Sequence, residues 1–227
     1  EKMIKSLSIR AGLDESQYVV VAITCGVTAA ATDTNAGTVT ADFDFEKKDF
    51  DAGLFHKVAR AAEQTAGGMQ FARGTSLVFD SKKANLDDFS KKPFSVTFDL
   101  TATDKPHGYC AGLVETGPFR ITLTQSSMKV VVETFGNDGK RLYISSRDPV
   151  ELNRRVCFEY RSDGKKGILL RDGKIETVVD APLPNQPSTQ VRFGVAGGKE
   201  YNFNGVLHRV TFRSMDGNGN QAQKEKP

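Results

Sequence analysis

Apolar and polar residues alternate with a period of two along much of the chain, which is the pattern of strands that bury one face. In Pro93–Leu100 (PFSVTFDL), Phe94, Val96 and Phe98 alternate with small polar residues. The same period recurs in Thr38–Glu46, Phe119–Leu123, Thr189–Val195 and Gly205–Phe212. Strands that recur at roughly ten-residue intervals are typical of an all-β sandwich or barrel.

Three Asp-Gly steps lie between β-rich runs and predict tight hairpins, because both residues tolerate positive φ in two-residue turns. The predicted hairpins pair Met128–Phe135 with Arg141–Ser146, Val156–Arg161 with Gly167–Arg171, and Gly167–Arg171 with Lys174–Val179. Hairpins in such close succession indicate an antiparallel meander.

The two ends of the chain differ from its body. Residues 1–36 contain a β-rich segment at Gln17–Thr28 and predict an arm, whereas residues 214–227 are polar and aperiodic and predict a tail. Residues 37–213 are then one β-sandwich domain. Within it, Leu54–Thr65 is compatible with a short helix or with a loop, since Gly67 and Gly68 follow.

Composition narrows the class of protein. Hydrophobic residues make up 38% and charged residues 26% of the 227 residues, as in ordinary globular proteins. A net charge of +3 is too small to indicate nucleic-acid binding. The longest apolar run, Tyr18–Ala31, is too short for a transmembrane segment and too far from a basic start for an ordinary signal peptide. The absence of Trp argues against a deep glycan groove.

Three cysteines, Cys25, Cys110 and Cys157, are too few for a disulfide scaffold. A disulfide between any two of them leaves the third as a free thiol. The sequence therefore decides neither the disulfide state nor the redox compartment.

Five segments between Val39 and Phe212 resemble, in the same order, the laminin-G-like and concanavalin-A-like jelly-roll superfamily. They are ADFDF, GGMQFARGTSLVFD (Gly67–Asp80) as a strand presenting a small hairpin, PFSVTFDL, ILLRDGKIE and FGVAGGKEYNFNGVLHRVTF (Phe193–Phe212). Where such domains often carry Trp-His-His-Val, this chain has Arg154-Arg155-Val156-Cys157, which indicates a distant relative. The resemblance implies an antiparallel jelly roll and a function among lectins, adhesion modules, carbohydrate-binding modules or glucanases.

Asp42, Asp44 and Glu46 place a carboxylate at every second position of a predicted strand, so the three share one face and Phe43 and Phe45 the other. The pattern resembles the catalytic strand of glucanases with this fold. A retaining glycosidase needs two carboxyl groups about 5–5.5 Å apart, whereas positions i and i+4 of a strand are roughly 13 Å apart. We expect a solvated face of an outer strand rather than a catalytic site.

The same three acids are the candidates for Ca²⁺, which the resemblance implies for some members of the superfamily. Because Ca²⁺ takes six to eight oxygen ligands and a straight ladder offers few that converge, no cofactor is predicted. The three histidines, His56, His107 and His208, have no metal-ligand spacing. His208 is expected to point inward as a packed, hydrogen-bonded residue.

Basic residues cluster on neighbouring predicted strands and their turns, and they are the candidates for binding an acidic partner such as a glycosaminoglycan: Arg154, Arg155, Arg161, Lys165 and Lys166. Interspersed acids, among them Glu151, Glu159 and Asp163, are expected to offset much of their field.

Three functions follow as hypotheses. The first is a non-catalytic, lectin-like or adhesive module of a secreted or cell-surface protein, with a glycan or protein ligand. The second is a structural subunit that assembles with copies of itself through residues 1–33 and the tail. The third is a glycoside-active enzyme that uses Asp42 and Glu46.

Overall fold

The computed structural model describes residues 37–47, 62–136, 140–184, 186–196 and 201–215, together with the backbone of residues 55–58. The predicted arm, nearly all of the predicted tail, Cys25 and the first Asp-Gly turn lie outside these residues. Among the described residues, no helix has the length and apolar character needed to cross a membrane.

The described strands form two antiparallel sheets that pack face to face, so the predicted all-β jelly-roll sandwich is confirmed. The larger sheet contains, in spatial order, β13 (Lys174–Asp180), β12 (Lys166–Arg171), β11 (Arg155–Ser162), β6 (Phe94–Ala102), β17 (Gly205–Ser214), β4 (Gly68–Phe71) and β3 (Glu63–Thr65). In addition, β1 (Thr38–Asp44) pairs with β17.

The smaller sheet contains, in spatial order, β10 (Arg141–Ser145), β9 (Val130–Phe135), β8 (Phe119–Thr124), β7 (Cys110–Glu115), β14 (Gln190–Phe193), β5 (Leu77–Asp80) and β2 (Phe55–Val58). A short pair of strands, β15 (Val195–Ala196) and β16 (Tyr201–Asn202), follows β14. Two 3-10 helices, Ser81–Ala84 and Phe89–Lys91, connect β5 to β6.

Phenylalanines from both sheets fill the space between them. Phe94, Val96 and Phe98 of β6 are fully buried, as their alternation predicted. Phe98 stacks on Phe158 of the neighbouring β11, with ring centroids 5.7 Å apart. Phe43 contacts rings of both sheets, and its centroid lies 4.8 Å from that of Phe79 on β5. Aromatic contacts across the sandwich therefore hold its two layers together.

All three predicted hairpin pairings are present: β9 with β10, β11 with β12, and β12 with β13. At the last turn, Asp172 has φ 48° and Gly173 has φ 77°. Positive φ at both central residues is the type I′ geometry that matches the twist of a hairpin. Turn chemistry that is readable in the sequence thus sets the register of the meander.

Several local predictions were wrong. Leu54–Thr65 contains the strands Phe55–Val58 and Glu63–Thr65 rather than a helix or a loop, because the edges of β5 and β4 offer pairing partners. Gly67–Asp80 forms no hairpin, since its two strands, β4 and β5, belong to different sheets. Val39 is 51% exposed although Phe43 is buried, because a bulge between Val39 and Ala41 breaks the alternation.

Candidate functional site

We call the segment with Asp42, Asp44 and Glu46 the acidic strand, although the predicted strand was too long: β1 ends at Asp44, and Glu46 lies in the turn that follows. Ion pairs on the outer face of the larger sheet hold these acids. Asp42 accepts hydrogen bonds from Nε of Arg209 at 2.8 Å and from Nη2 at 2.5 Å, and another from the hydroxyl of Thr211 at 2.8 Å. The hydrogen bond from Arg209 lowers the pKa of Asp42 and outweighs the effect of burial. The carboxylate is thus fixed in its ionised form by its neighbours on β17.

Glu46 and Asp99 share one guanidinium. Arg155 donates from Nη1 to Glu46 at 2.7 Å and from Nε to Asp99 at 2.8 Å. The hydrogen bond to Asp99 raises the pKa of Arg155 despite its partial burial. Asp44, the middle acid, caps the backbone N–H of Glu46 at 3.3 Å and lies 3.6 Å from Nζ of Lys47.

These contacts engage the carboxylates that were the weak candidates for catalysis or metal binding. A glycosidase acid needs a raised pKa, whereas Asp42 has a lowered one, and both Asp42 and Glu46 are bound to arginine. The pairs join Asp42 to Arg209 and Glu46 to Arg155. Among the described residues, no group of three or more His, Cys, Asp or Glu side chains is arranged to hold a metal ion.

The predicted basic cluster is largely neutralised by neighbouring acids. Arg154 pairs with Glu151 at 2.9 Å, Arg161 pairs with Glu159 at 2.7 Å, and Lys166 pairs with Asp180. Arg155 belongs to the acidic strand's network, and Lys165 is exposed on the turn between β11 and β12. The five basic residues therefore form a mixed-charge surface rather than a concentrated cationic face.

His208 is 8% exposed and hydrogen-bonded, as expected, but the prediction that it points inward was wrong: its ring lies on the outer side of β17, and Leu207 takes the core position. Its Nε2 lies 2.9 Å from the hydroxyl of Thr101, and its Nδ1 hydrogen-bonds to the carbonyl of Gly67. The residue sits at a bulge in the pairing of β17 with β6. His208 is therefore a structural residue whose two ring nitrogens tie together β17, β6 and the turn before β4.

A row of alternating charges crosses the outer face of the smaller sheet, on the opposite side of the sandwich. Tyr143 pairs with Glu133, Glu133 with Arg120, Arg120 with Glu115, and Glu115 with Arg192, each on the next strand. Directly opposed residues of an antiparallel pair project from the same face. At ~4.8 Å per strand, the four charges from β9 to β14 span about 14 Å.

We call Glu133, Arg120, Glu115 and Arg192 the charge row. Hydrogen bonds join its members in two pairs. Arg120 donates from Nε to Glu133, and Arg141 donates to the other oxygen of Glu133 at 3.3 Å. Arg192 donates from Nη1 to Glu115 at 3.2 Å. Although Glu133 lies on an outer face, it is only 4% exposed, because these side chains surround it.

Glu133 is ionised in this setting. Burial raises the pKa of Glu133, but the hydrogen bond and the charge of Arg120 outweigh it and leave that pKa below its usual value. The same hydrogen bond raises the pKa of Arg120. Tyr143 contributes a further hydrogen bond to the carboxylate. The charges are therefore fixed in place, and their geometry is set before any ligand arrives.

Beside the charge row lies a cleft with a cavity volume of about 200 Å³. Its lining residues are Glu115, Thr116, Gly117, Arg120, Phe135, Thr189, Gln190 and Arg192. Phe135 supplies the apolar wall, with the guanidinium carbons of Arg120 and Arg141 at 5.3 Å and 5.6 Å from its ring centroid. The cleft thus combines hydroxyl, amide, carboxylate and guanidinium groups with one aromatic surface.

This cleft was not predicted from the sequence, and the candidate residues that were predicted lie on or beside the larger sheet. One indication was present in the sequence: Glu133 interrupts the apolar run Val130–Phe135, and Arg120 alternates with Phe119 and Ile121. A charged residue on an otherwise apolar strand indicates that its side of the strand faces away from the core. The partners of these charges could be named only once the strand order was known.

No protein-family model and no curated protein matches the sequence. Solved structures share its fold at low identity. Domain 4 of AbnA, an extracellular arabinanase from Geobacillus stearothermophilus, aligns with a TM-score of 0.54 and 11% identity, over 79% of this chain and 93% of that one. The CBM40 domain of Ruminococcus gnavus IT-sialidase aligns with a TM-score of 0.50 and 14% identity, over 63% and 89%.

The binding domain of botulinum neurotoxin serotype G also aligns, with a TM-score of 0.54 and 9% identity, over 78% of this chain and 46% of that one. At such identities the similarity establishes the fold alone. The chain belongs to the class of antiparallel β-sandwiches of jelly-roll type, an architecture that it shares with carbohydrate-binding domains.

Proposed function

We propose that this protein is a non-catalytic recognition module that binds a glycan in the cleft on the outer face of the smaller sheet. The observation that carries the proposal is the charge row, which lines one side of a concave site with alternating acceptors and donors. Sugar hydroxyls both donate and accept hydrogen bonds, so they complement such an arrangement.

The cleft has the other chemical property that a sugar ring requires. One face of a pyranose is rich in C–H groups and packs on apolar or aromatic surfaces. Phe135 lines the cleft with such a surface, on which the guanidinium of Arg120 also packs. Thr116, Thr189 and Gln190 add uncharged hydrogen-bonding groups around it. Concave sites with an apolar wall and a few fixed polar groups are the usual form of a small-ligand site.

Binding without catalysis fits the electrostatics of the site. Both carboxylates of the charge row are bonded to arginine, and the pKa of Glu133 is lowered. Hydrolysis of a glycoside by paired carboxyl groups needs one acid whose pKa is raised. Glu133 in this cleft and Asp42 on β1 both have a pKa that is lowered instead.

The structural neighbours support a glycan as the ligand class. The arabinanase domain was solved with arabinotriose, and the sialidase module with α2,6-sialyllactose. Because identity is low, these ligands indicate a class and name no specific sugar. A glycan-binding role also agrees with an extracellular or cell-surface location, and we include that location in the proposal. Assembly through residues 1–33 and the tail stays a separate prediction.

The test is a glycan array probed with the wild-type protein and two variants. Arg192→Ala removes a cation from the cleft, while Arg213→Ala removes one from the outer face of the larger sheet and serves as the matched control. We expect binding by the wild-type protein and by Arg213→Ala, and its loss in Arg192→Ala. Binding that is unaffected by Arg192→Ala would place the ligand elsewhere. Release of reducing sugar from a bound glycan would contradict the non-catalytic role.

A further inference from the structure

The cleft carries a surplus of positive charge. Its lining contains two arginines, Arg120 and Arg192, and one carboxylate, Glu115. Behind them, Arg141 adds a cation and Glu133 an anion, so the surplus of one positive charge remains. These charges are partly buried: the side chain of Arg192 is 36% exposed and that of Arg120 is 22% exposed. Reduced solvent screening makes the surplus more effective than on an open surface.

One further acid lies on the same face but is directed elsewhere. Asp80 pairs with Gln190 across β5 and β14, and its carboxylate caps the backbone N–H of Lys82 at 2.9 Å. It is not among the residues that line the cleft. Asp80 therefore does not offset the surplus of positive charge in the cleft.

Both arginines retain donors for a ligand. A guanidinium has five N–H groups. Arg120 gives its Nε to Glu133, whereas Arg192 gives Nη1 to Glu115 and Nη2 to Gln190 at 3.2 Å. Arg120 and Arg192 lie on β8 and β14, on either side of β7, so their backbones are about 10 Å apart and their side chains line one cleft.

We infer that the ligand is an acidic saccharide whose carboxylate binds Arg120 and Arg192 from the solvent side, over Glu115, which lies between them on β7. This inference rests on the proposed glycan-binding function. Guanidinium and carboxylate groups form paired, charge-assisted hydrogen bonds, which are stronger than those of a neutral hydroxyl. A volume of about 200 Å³ is below the 300–1,000 Å³ of most ligand pockets, so it suits one terminal or exposed sugar ring. A carboxylated ring is a uronic or nonulosonic acid.

The main comparison in the experiment is between each carboxylated saccharide and its uncharged methyl ester. Isothermal titration calorimetry is run with trigalacturonate and its methyl ester, and with sialyllactose and its methyl ester. A neutral panel (lactose, cellotriose and arabinotriose) and a sulfated lactose complete the set. The variants are Arg192→Gln, Arg192→Lys and the control Arg213→Gln. The thermal midpoint of each variant shows that it is folded.

We expect at least one carboxylated saccharide to bind about tenfold or more tightly than its ester. Arg192→Gln should remove that difference, Arg192→Lys should retain part of it because the charge remains, and Arg213→Gln should leave it unchanged.

The other outcomes separate this inference from the proposed function. Equal binding of acids and esters, or binding of the neutral panel alone, would overturn the inference and leave glycan recognition standing. Binding of sulfated lactose without any carboxylated saccharide would overturn the carboxylate assignment. Failure of every saccharide on the array and in this set to bind would overturn the proposed function and this inference together.

Discussion

Arg120 and Glu133 face each other across β8 and β9 on the outer side of the smaller sheet, and Nε of Arg120 donates a hydrogen bond to Glu133. Glu133 is 4% exposed and also accepts a hydrogen bond from Arg141 at 3.3 Å. One buried carboxylate therefore orients two guanidinium groups, both of which pack on Phe135. The positions of Arg120 and Arg141 at the candidate site therefore depend on this single side chain.

Removing the charge of Glu133 should destabilise the fold. In Glu133→Gln, Arg120 keeps its partly buried charge but loses its carboxylate partner. Because hydrogen bonds to charged groups contribute about 1.5–3 kcal/mol each, we expect the free energy of unfolding to fall by a similar amount. Urea denaturation measures it. Glu151→Gln, which breaks the exposed pair with Arg154, is the control and should leave the midpoint unchanged. Equal effects of the two variants would contradict the role assigned to Glu133.

Asp42 should make stability dependent on acid pH. Its hydrogen bonds with Arg209 lower its pKa below the unfolded value of 3.8. A lowered pKa in the folded state means that the stabilisation is complete above the unfolded pKa and is lost as pH falls through the folded pKa. The wild-type protein should therefore lose stability as pH falls below about 5, and Asp42→Asn should lose less over the same range.

The measurement for Asp42 is a series of urea midpoints at pH 6, 5, 4 and 3 for the two proteins. At pH 6, Asp42→Asn should be within about 1 kcal/mol of the wild type, because the pair with Arg209 is largely exposed. The two proteins should converge as pH falls. Parallel pH profiles would show that the ion pair makes no net contribution.

Phe98→Ala should cost about 3–5 kcal/mol, because it deletes a fully buried ring and leaves a cavity against Phe158. The expected loss is measured by chemical denaturation. Tyr109→Ala provides the comparison, since that ring is 80% exposed and its removal should have little effect. A Phe98→Ala variant that melts within a degree or two of the parent would contradict the burial of this face of β6.

Cys157 should resist alkylation in the folded protein. Burial, followed by the charge of Asp99, raises its pKa to about 11, and the thiolate is the reactive form. At pH 8 only about 0.1% of a thiol with this pKa is ionised. Iodoacetamide labelling followed by peptide mass spectrometry reports Cys157 separately from Cys110 and Cys25. Labelling of Cys157 at the rate seen in urea would contradict the protection.

Short-range chemistry made the strands predictable. Phe94, Val96 and Phe98 alternate with polar residues because one face of β6 is core, and Asp172-Gly173 forms a tight turn because both residues accept positive φ. Such preferences depend on neighbours within a few residues, so they can be read from the chain directly. The class of fold, the meander and the ionised face of β1 were determined in this way.

The site was decided by pairing between distant segments. Glu115 and Arg192 are 77 residues apart in the chain, yet they face each other across β7 and β14. A shift of one residue in the register of either strand would send one of these side chains to the core. The bulges at Val39 and near Gly112 likewise follow from pairing and left no mark in the sequence pattern. Which charges meet, and whether they form a row or a cleft, is a property of the strand order, which local sequence preferences do not encode.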